Sequence, residues 1–333
     1  MPNNDKSLSS KIDQELAKKF EEASKRKVKI SDFITDFIGQ FISPQTQKAY
    51  IKDLQFFFEF LKSGNVIISH PAQIEGHHFQ FYRDHLIDLG LSSATINRRL
   101  VGIRSFIKWS MSMKLIDYNP LDVVKLPKVQ TEKPTLAFDD SEVVEMLNFP
   151  DLTTKKGQVD KIVMLILFSL GLRRSELTHI KCEDIYQERK HNVIKIRGKG
   201  GKDRHLPIAP FISQAIKEYV DFLKNIGINL EPHDYLIQNS KKNKVQKPID
   251  GSTVYRIIEK YARLCGINKK VSPHSCRATA ISHLLDTQKT PIRDVAIFAG
   301  HSKITTTERY DKRRESLDNS AAYQIDYSKK DTA

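Results

Sequence analysis

The chain has 333 residues, with 54 lysines and arginines against 40 aspartates and glutamates and hence a net charge of +14. That length accommodates two domains, and that charge suits a protein that neutralises phosphates, although a membrane-surface or ribosomal protein would share it. Three cysteines, Cys182, Cys265 and Cys276, lie too far apart for a disulfide or metal-ligand framework and point to a reducing compartment. The longest apolar run, Ile162 to Leu170, is interrupted by Ser169 and is too short to span a bilayer, so it reads as a buried core helix. The start, Met1 to Asp5, is polar and lacks the apolar stretch of a secretory signal. A soluble, cytoplasmic protein with no membrane partner is expected.

In chain order, residues 1–29 are charged and poor in apolar side chains, and read as a solvated leader. From Ser31, Phe33, Ile34, Phe37 and Ile38 repeat at helical spacing. A second helix follows Ser43 and Pro44 and stops at Gly64, a third runs from about Ala72 to Leu89, and a fourth opens at Ser92 or Ser93. Four such helices in succession make a small bundle with its own core. Its polar faces offer Gln45, Gln47 and Lys48 on one helix and Asn97, Arg98, Arg99 and Arg104 on another, which read as groove and phosphate contacts or as a solvated basic face. His77 and His78 are adjacent on a helix, cannot face one metal together, and read as surface or groove residues.

Residues 126–135 hold two prolines among mostly polar neighbours and read as a linker. A basic join between two basic domains suggests a clamp closing around a duplex. Beyond it, Asp139, Asp140 and Ser141 cap a helix, and an apolar helix from Val159 to Leu170 ends in a turn carrying Arg173. From Asn192 to Ile208 the period changes to two, which predicts a β-hairpin with Lys199 at its tip and Lys202 beside it. The glycine-lysine loop does not open a helix and is not a nucleotide-binding loop. From spacing alone it reads equally as a basic hairpin touching a phosphate.

Near the C-terminus, Ser272 and Pro273 open a helix that places His274 and Arg277 one turn apart on one face. Pro291 starts a second helix that Gly300 stops, leaving His301 at the junction, and Ser302 is expected to cap a third short helix reaching Tyr310. Taken singly, each of these residues is as well explained by packing. Cys276, in their midst, reads as packing too. Together they are a His-x-x-Arg pair, a Gly-His pair and a following tyrosine. Upstream stand Gly171-Leu172-Arg173-Arg174-Ser175-Glu176-Leu177 and Arg197-Gly198-Lys199-Gly200-Gly201-Lys202.

This set resembles the C-terminal signature of the tyrosine recombinases, the phage integrase family. The bundle more weakly resembles that family's N-terminal core-binding domain, with Thr46 and Tyr50 on its opening helix and Asn119-Pro120 at its close. The implied fold is mainly α with a small β-sheet: a four-helix core-binding bundle over 30–125, an α+β catalytic domain over 136–315, and a C-terminal tail over 316–333 for subunit contact. A phosphodiester under attack builds charge on its non-bridging oxygens, which planar guanidinium forks meet bidentately; Arg173 and Arg277 suit that role. Tyr310, with a hydroxyl pKa of about 10, needs a neighbour or a positive field to lose its proton. By the resemblance, His274 takes that proton, Lys199 protonates the departing 5′ oxygen, and His301 hydrogen-bonds the phosphate. Glu176 is expected to brace Arg173 or the turn that carries it.

The resemblance implies a site-specific recombinase of the Xer-like or simple-site integrase kind. It would act without metal, ATP or other cofactor, as a homotetramer on double-stranded DNA with inverted-repeat sites, and an accessory protein is compatible with it. Two other readings stay open. A type IB topoisomerase-like relaxing enzyme shares the chemistry but reseals one strand as a monomer, and needs neither bundle nor tail. A non-cleaving DNA-binding regulator would not need the six-residue set. In the tail, Ala321, Ala322, Tyr323 and Ile325 form an apolar group that needs a partner, in its own domain or in a neighbouring subunit.

Overall fold

The computed structural model describes residues 29–122, 124–127, 136–198, 201–238 and 247–311, and the chain divides into two compact units, Met1–Glu132 and Lys133–Ala333. The leader short of Lys29, the linker from 128 to 135, Lys199 and the tail all lie outside the described residues.

The first unit is the expected helical bundle: α1 (Ile30–Gly39), α2 (Pro44–Ser63), α3 (Gly76–Asp88) and α4 (Ser93–Ser112). The Ser43 and Ser92 hydroxyls accept the Thr46 and Thr95 amides, each satisfying one orphan donor of a helix start. Phe37, Leu54, Phe57, Phe79, Ile103 and Phe106 fill the core. The third helix is shorter than its apolar pattern predicts. A 3-10 turn, Pro71–Gln73, comes first, and the helix restarts after Glu75, whose amide is accepted by His78 Nδ1 at 3.0 Å. His78 is therefore a buried helix-start residue and not a groove contact.

The second unit is built on α6 (Lys155–Leu170), whose stretch from Ile162 to Leu170 is, save for Ser169, apolar and buried, as a central helix must be. Around it pack α5 (Asp140–Asn148), α8 (Pro210–Asn225), α9 (Gly251–Leu264) and α10 (Pro273–Ser282). The short α7 (Arg174–Thr178) follows α6 directly. The predicted hairpin is present as β2 (His191–Arg197) and β3 (Asp203–Pro207), with Ile194 opposite Leu206. A third strand, β1 (Ile185–Glu188), pairs antiparallel with β2 and gives the order β1-β2-β3. After α10 come a π-helical turn, α11 (Ile292–Ala299) and α12 (Ile304–Glu308). Lys303, not Ser302, holds the cap position of α12.

Candidate active site

Two helix ends organise the site. α6 stops at Gly171 (φ 56) and α11 stops at Gly300 (φ 65), both left-handed, where a side chain would be strained. At Gly300 a Cβ would also lie 2.9 Å from Arg204 Nη1. The last carbonyls of a helix lack partners and carry the negative end of its dipole, so they attract guanidinium groups. Arg277, 1% exposed, donates from Nη1 to the Gly171 carbonyl at 2.7 Å and from Nη2 to the Ala299 carbonyl at 2.6 Å. Arg173 donates from Nη2 to the Gly300 carbonyl at 2.9 Å. Both arginines are thus pinned to consecutive carbonyls at the end of α11, and each guanidinium has N–H groups beyond these bonds.

Glu176 holds the arrangement from the other side. Its carboxylate accepts the Arg173 amide at 2.9 Å and Arg173 Nη1 at 2.7 Å, as the sequence led one to expect. It also accepts Arg204 Nη1 at 3.0 Å and Nη2 at 2.9 Å. Arg204 lies on β3, where the period-two pattern of Asn192 to Ile208 marks it only as a strand residue. Nothing local marks its pairing with a glutamate 28 positions earlier. Burial pushes the Glu176 pKa up, but the bonds from Arg204 and from Arg173 outweigh it, and the group stays ionised with a lowered pKa.

Against this frame stand the titratable groups. Tyr310 is half-buried just past α12, and its hydroxyl lies 3.1 Å from His274 Nε2. The Ser282 hydroxyl donates to the Tyr310 carbonyl at 3.3 Å, and the His301 ring lies parallel to the Tyr310 ring at 6.1 Å. His301 Nδ1 meets the buried Thr307 hydroxyl at 2.8 Å. Burial first, then Arg277 and Arg173, lowers the pKa of His274, so the ring is neutral at pH 7 and can accept a proton. The same causes, joined by His274 and Arg204, lower His301 to about 4. Tyr310 is raised by burial, with Arg277, Arg173 and Arg309 opposing, so it keeps its proton at neutral pH. Burial lowers Arg277 to about 10, and Arg173 adds to this, which leaves it fully charged at neutral pH. Burial pushes the Cys276 thiol up, which leaves it inert.

Five of the six residues singled out from the sequence, Arg173, His274, Arg277, His301 and Tyr310, are therefore brought together, while Lys199 lies outside the described residues. The strands that flank Lys199 are joined by the Gly198 amide donating to the Lys202 carbonyl at 3.1 Å. A cleft of about 250 Å³ opens beside Arg173 and His274, lined also by Arg174, Tyr255 and Ser272. Among the described residues no three His, Cys, Asp or Glu side chains gather as metal ligands would. Within the bundle, several residues expected to touch nucleic acid are engaged at home. Arg98 forks onto the buried Asp53 at 2.9 and 3.1 Å, Asn97 donates to the Pro127 carbonyl, Gln47 donates to the Phe41 carbonyl, and Arg99 lies over the Phe56 ring. Gln45, Lys48 and Lys202 are exposed, and Arg104 lines a small cleft with Lys108 and Asn119.

Residues 137–316 match the family model described as "Phage integrase family", and residues 32–114 match "Phage integrase, N-terminal SAM-like domain". The tyrosine recombinase XerC of Thermodesulfovibrio yellowstonii is 31% identical over 288 residues, 84% of this chain and 90% of that protein. XerD of Staphylococcus epidermidis strain RP62A is 28% identical, over 81% of this chain and 88% of its own length. Among solved structures, the Tn1549 transposon integrase in complex with circular intermediate DNA superposes with a TM-score of 0.65 at 19% identity, covering 90% of this chain and all of that one. XerH bound to its palindromic difH substrate gives 0.63 at 19% identity, over 80% of this chain and 77% of that one. These two establish the shared fold; the family model spans more than half of the chain and the XerC relative exceeds 30% identity over nearly its whole length, so the chain belongs to the phage integrase family, the tyrosine recombinases.

Proposed function

We propose that this protein is a site-specific DNA recombinase that cleaves and rejoins duplexes through a 3′-phosphotyrosyl intermediate on Tyr310. One observation carries the reading: the Tyr310 hydroxyl sits 3.1 Å from a neutral His274, beside two arginines locked onto the end of α11. His274 Nε2 takes the phenol proton as the tyrosine oxygen bonds to phosphorus. The bond from phosphorus to the 5′ oxygen breaks, and that oxygen takes a proton from Lys199. Arg173 and Arg277 meet the charge that grows on the non-bridging oxygens, and His301 adds a hydrogen bond. Because their anchors are backbone carbonyls, little reorganisation accompanies the reaction. The phosphotyrosyl linkage conserves the bond, so a 5′ hydroxyl of a second duplex can attack it without ATP, and the guanidinium charges supply what a metal would.

The domain plan is that of the sequence reading: leader 1–29, core-binding bundle 30–125, linker 126–135, catalytic domain 136–315 and tail 316–333. DNA contact by the bundle and hairpin falls first to Gln45, Lys48, Arg104 and Lys202; Gln47, Asn97 and Arg99 also have partners within the bundle, and Arg98, bonded to Asp53 but with its side chain 55% exposed, keeps N–H groups for a phosphate. A lambda integrase has been solved as a tetramer on a Holliday junction, and XerH on a palindromic site. By that likeness this chain acts as a homotetramer on paired inverted-repeat sites. No helix of the described residues is long and apolar enough to cross a membrane, and the proposed DNA substrate supports a cytoplasmic location.

The test is to incubate the protein with a random-sequence library of nicked duplexes in EDTA without ATP and recover DNA that stays attached in detergent. Recovered sequences should converge on an inverted repeat, each joined through its 3′ end. Attachment that needs Mg²⁺, or none at all, would overturn the reading.

A further inference from the structure

Thr307 is completely buried on α12, and its carbonyl and hydroxyl serve two different catalytic candidates. Its carbonyl accepts the Tyr310 amide at 3.0 Å, and its hydroxyl meets His301 Nδ1 at 2.8 Å. Thr35 and Thr279 turn their hydroxyl protons back onto the carbonyl four residues earlier, the common habit of a helical threonine. Thr307 faces an imidazole instead. A hydroxyl can donate to a ring nitrogen or accept from it, so the contact by itself fits either tautomer of His301. The surroundings choose between them.

The two nitrogens of an imidazole lie on different edges of the ring, so with Nδ1 turned to the buried Thr307, Nε2 is the atom left to meet a ligand. Burial and the charges of Arg277 and Arg173 keep the ring neutral at ordinary pH, so it carries one proton. If Nδ1 held it, Nε2 would present a lone pair to an anionic phosphate, which repels. If Nε2 holds it, Nδ1 is an acceptor, and the Thr307 hydroxyl is the donor within reach. We propose that Thr307 is a positioning residue for His301: its hydroxyl donates to Nδ1 and keeps the single ring proton on Nε2, where it meets a phosphate oxygen. This rests on the reading of the site as one for a phosphodiester. It also makes α12 a part that holds the His301 tautomer and the Tyr310 backbone through one residue.

The test uses full-length protein with ring-¹⁵N histidine and no DNA, His301 being assigned by comparison with His301→Gln. The wild-type chain and Thr307→Ser should show the Nε2–H tautomer, and Thr307→Val, which keeps the shape but not the donor, should show a mixture or the other tautomer. In covalent trapping on a duplex selected as above, Thr307→Val should be slower by about tenfold, equivalent to about 1.4 kcal/mol, and Thr307→Ser should stay within about threefold of wild type. A wild-type proton on Nδ1 overturns the proposal, as does a folded Thr307→Val with unchanged tautomer and rate. Should Thr307→Val not fold, the wild-type tautomer and the Ser variant decide. A wild-type chain that shows the Nε2–H tautomer yet attaches to no DNA would sink the phosphodiester reading and leave the hydrogen-bond assignment standing.

Discussion

Glu176→Gln isolates the contribution of the carboxylate that ties β3 to the site, because it changes one atom and keeps the volume. Glu176 accepts four hydrogen bonds, from the Arg173 amide and Nη1 and from Arg204 Nη1 and Nη2. A glutamine keeps one oxygen and turns an NH₂ toward two of those donors, so about two bonds are lost. Bonds to charged groups contribute about 1.5–3 kcal/mol each, and breaking a buried ion pair costs about 3–5 kcal/mol, so we expect about 3–5 kcal/mol of destabilisation. Arg204 accounts for the larger share, since its side chain is 13% exposed against 40% for Arg173, whose contacts water can partly replace. Urea unfolding followed by far-UV circular dichroism should show a midpoint lower by about 2 M at a slope of about 2 kcal/mol/M. Trp109, the single tryptophan, lies on α4 of the first unit, so its fluorescence follows that unit separately. A loss below about 1 kcal/mol would refute the claim that Glu176 is a buried anchor for both arginines, since an exposed pair contributes at most about that much.

Covalent attachment should depend on pH through His274. A base works only when neutral, and this histidine's pKa is lowered, so the rate should hold down to about pH 6.5 and fall only below that; an acid limb centred at or above the ordinary histidine value would contradict the assignment. Lys199→Ala should cripple cleavage of normal DNA but spare a substrate with sulfur at the 5′ bridging position, because a thiolate leaves without a proton. Equal impairment on both substrates would remove the lysine from the general-acid role. Truncation after Glu315 should leave binding to one site largely unchanged and reduce paired-site complexes and strand exchange, measured by native gel and recombination assay. Recombination at the full-length rate would assign the tail to local packing.

The bundle was legible because its signals are local: apolar side chains at helical spacing, and serines at 43 and 92 that accept their own helices' amides. The catalytic candidates were legible as a motif, and the left-handed glycines at 171 and 300 explain why the motif contains them. What escaped was long-range. Arg204 alternates within β3 like any strand residue, and its partner is on another element. Ile185–Glu188 shows no apolar alternation, and only pairing with β2 makes it a strand. Asn97 and Arg98 look like a free basic face until the chain folds and supplies the Pro127 carbonyl and the buried Asp53. Thr307 sits in a run of three threonines, Thr305 to Thr307, and only burial tells it from its neighbours.

The account turns on Tyr310 as the nucleophile, and the most direct measurement is mass spectrometry of the peptide that carries DNA after trapping on a selected duplex. It should find a nucleotide 3′-phosphate on Tyr310. Tyr310→Phe, which keeps nearly all the packing, should bind the same duplex and form no adduct. An adduct on another residue, or covalent trapping that persists in Tyr310→Phe, would contradict the mechanism.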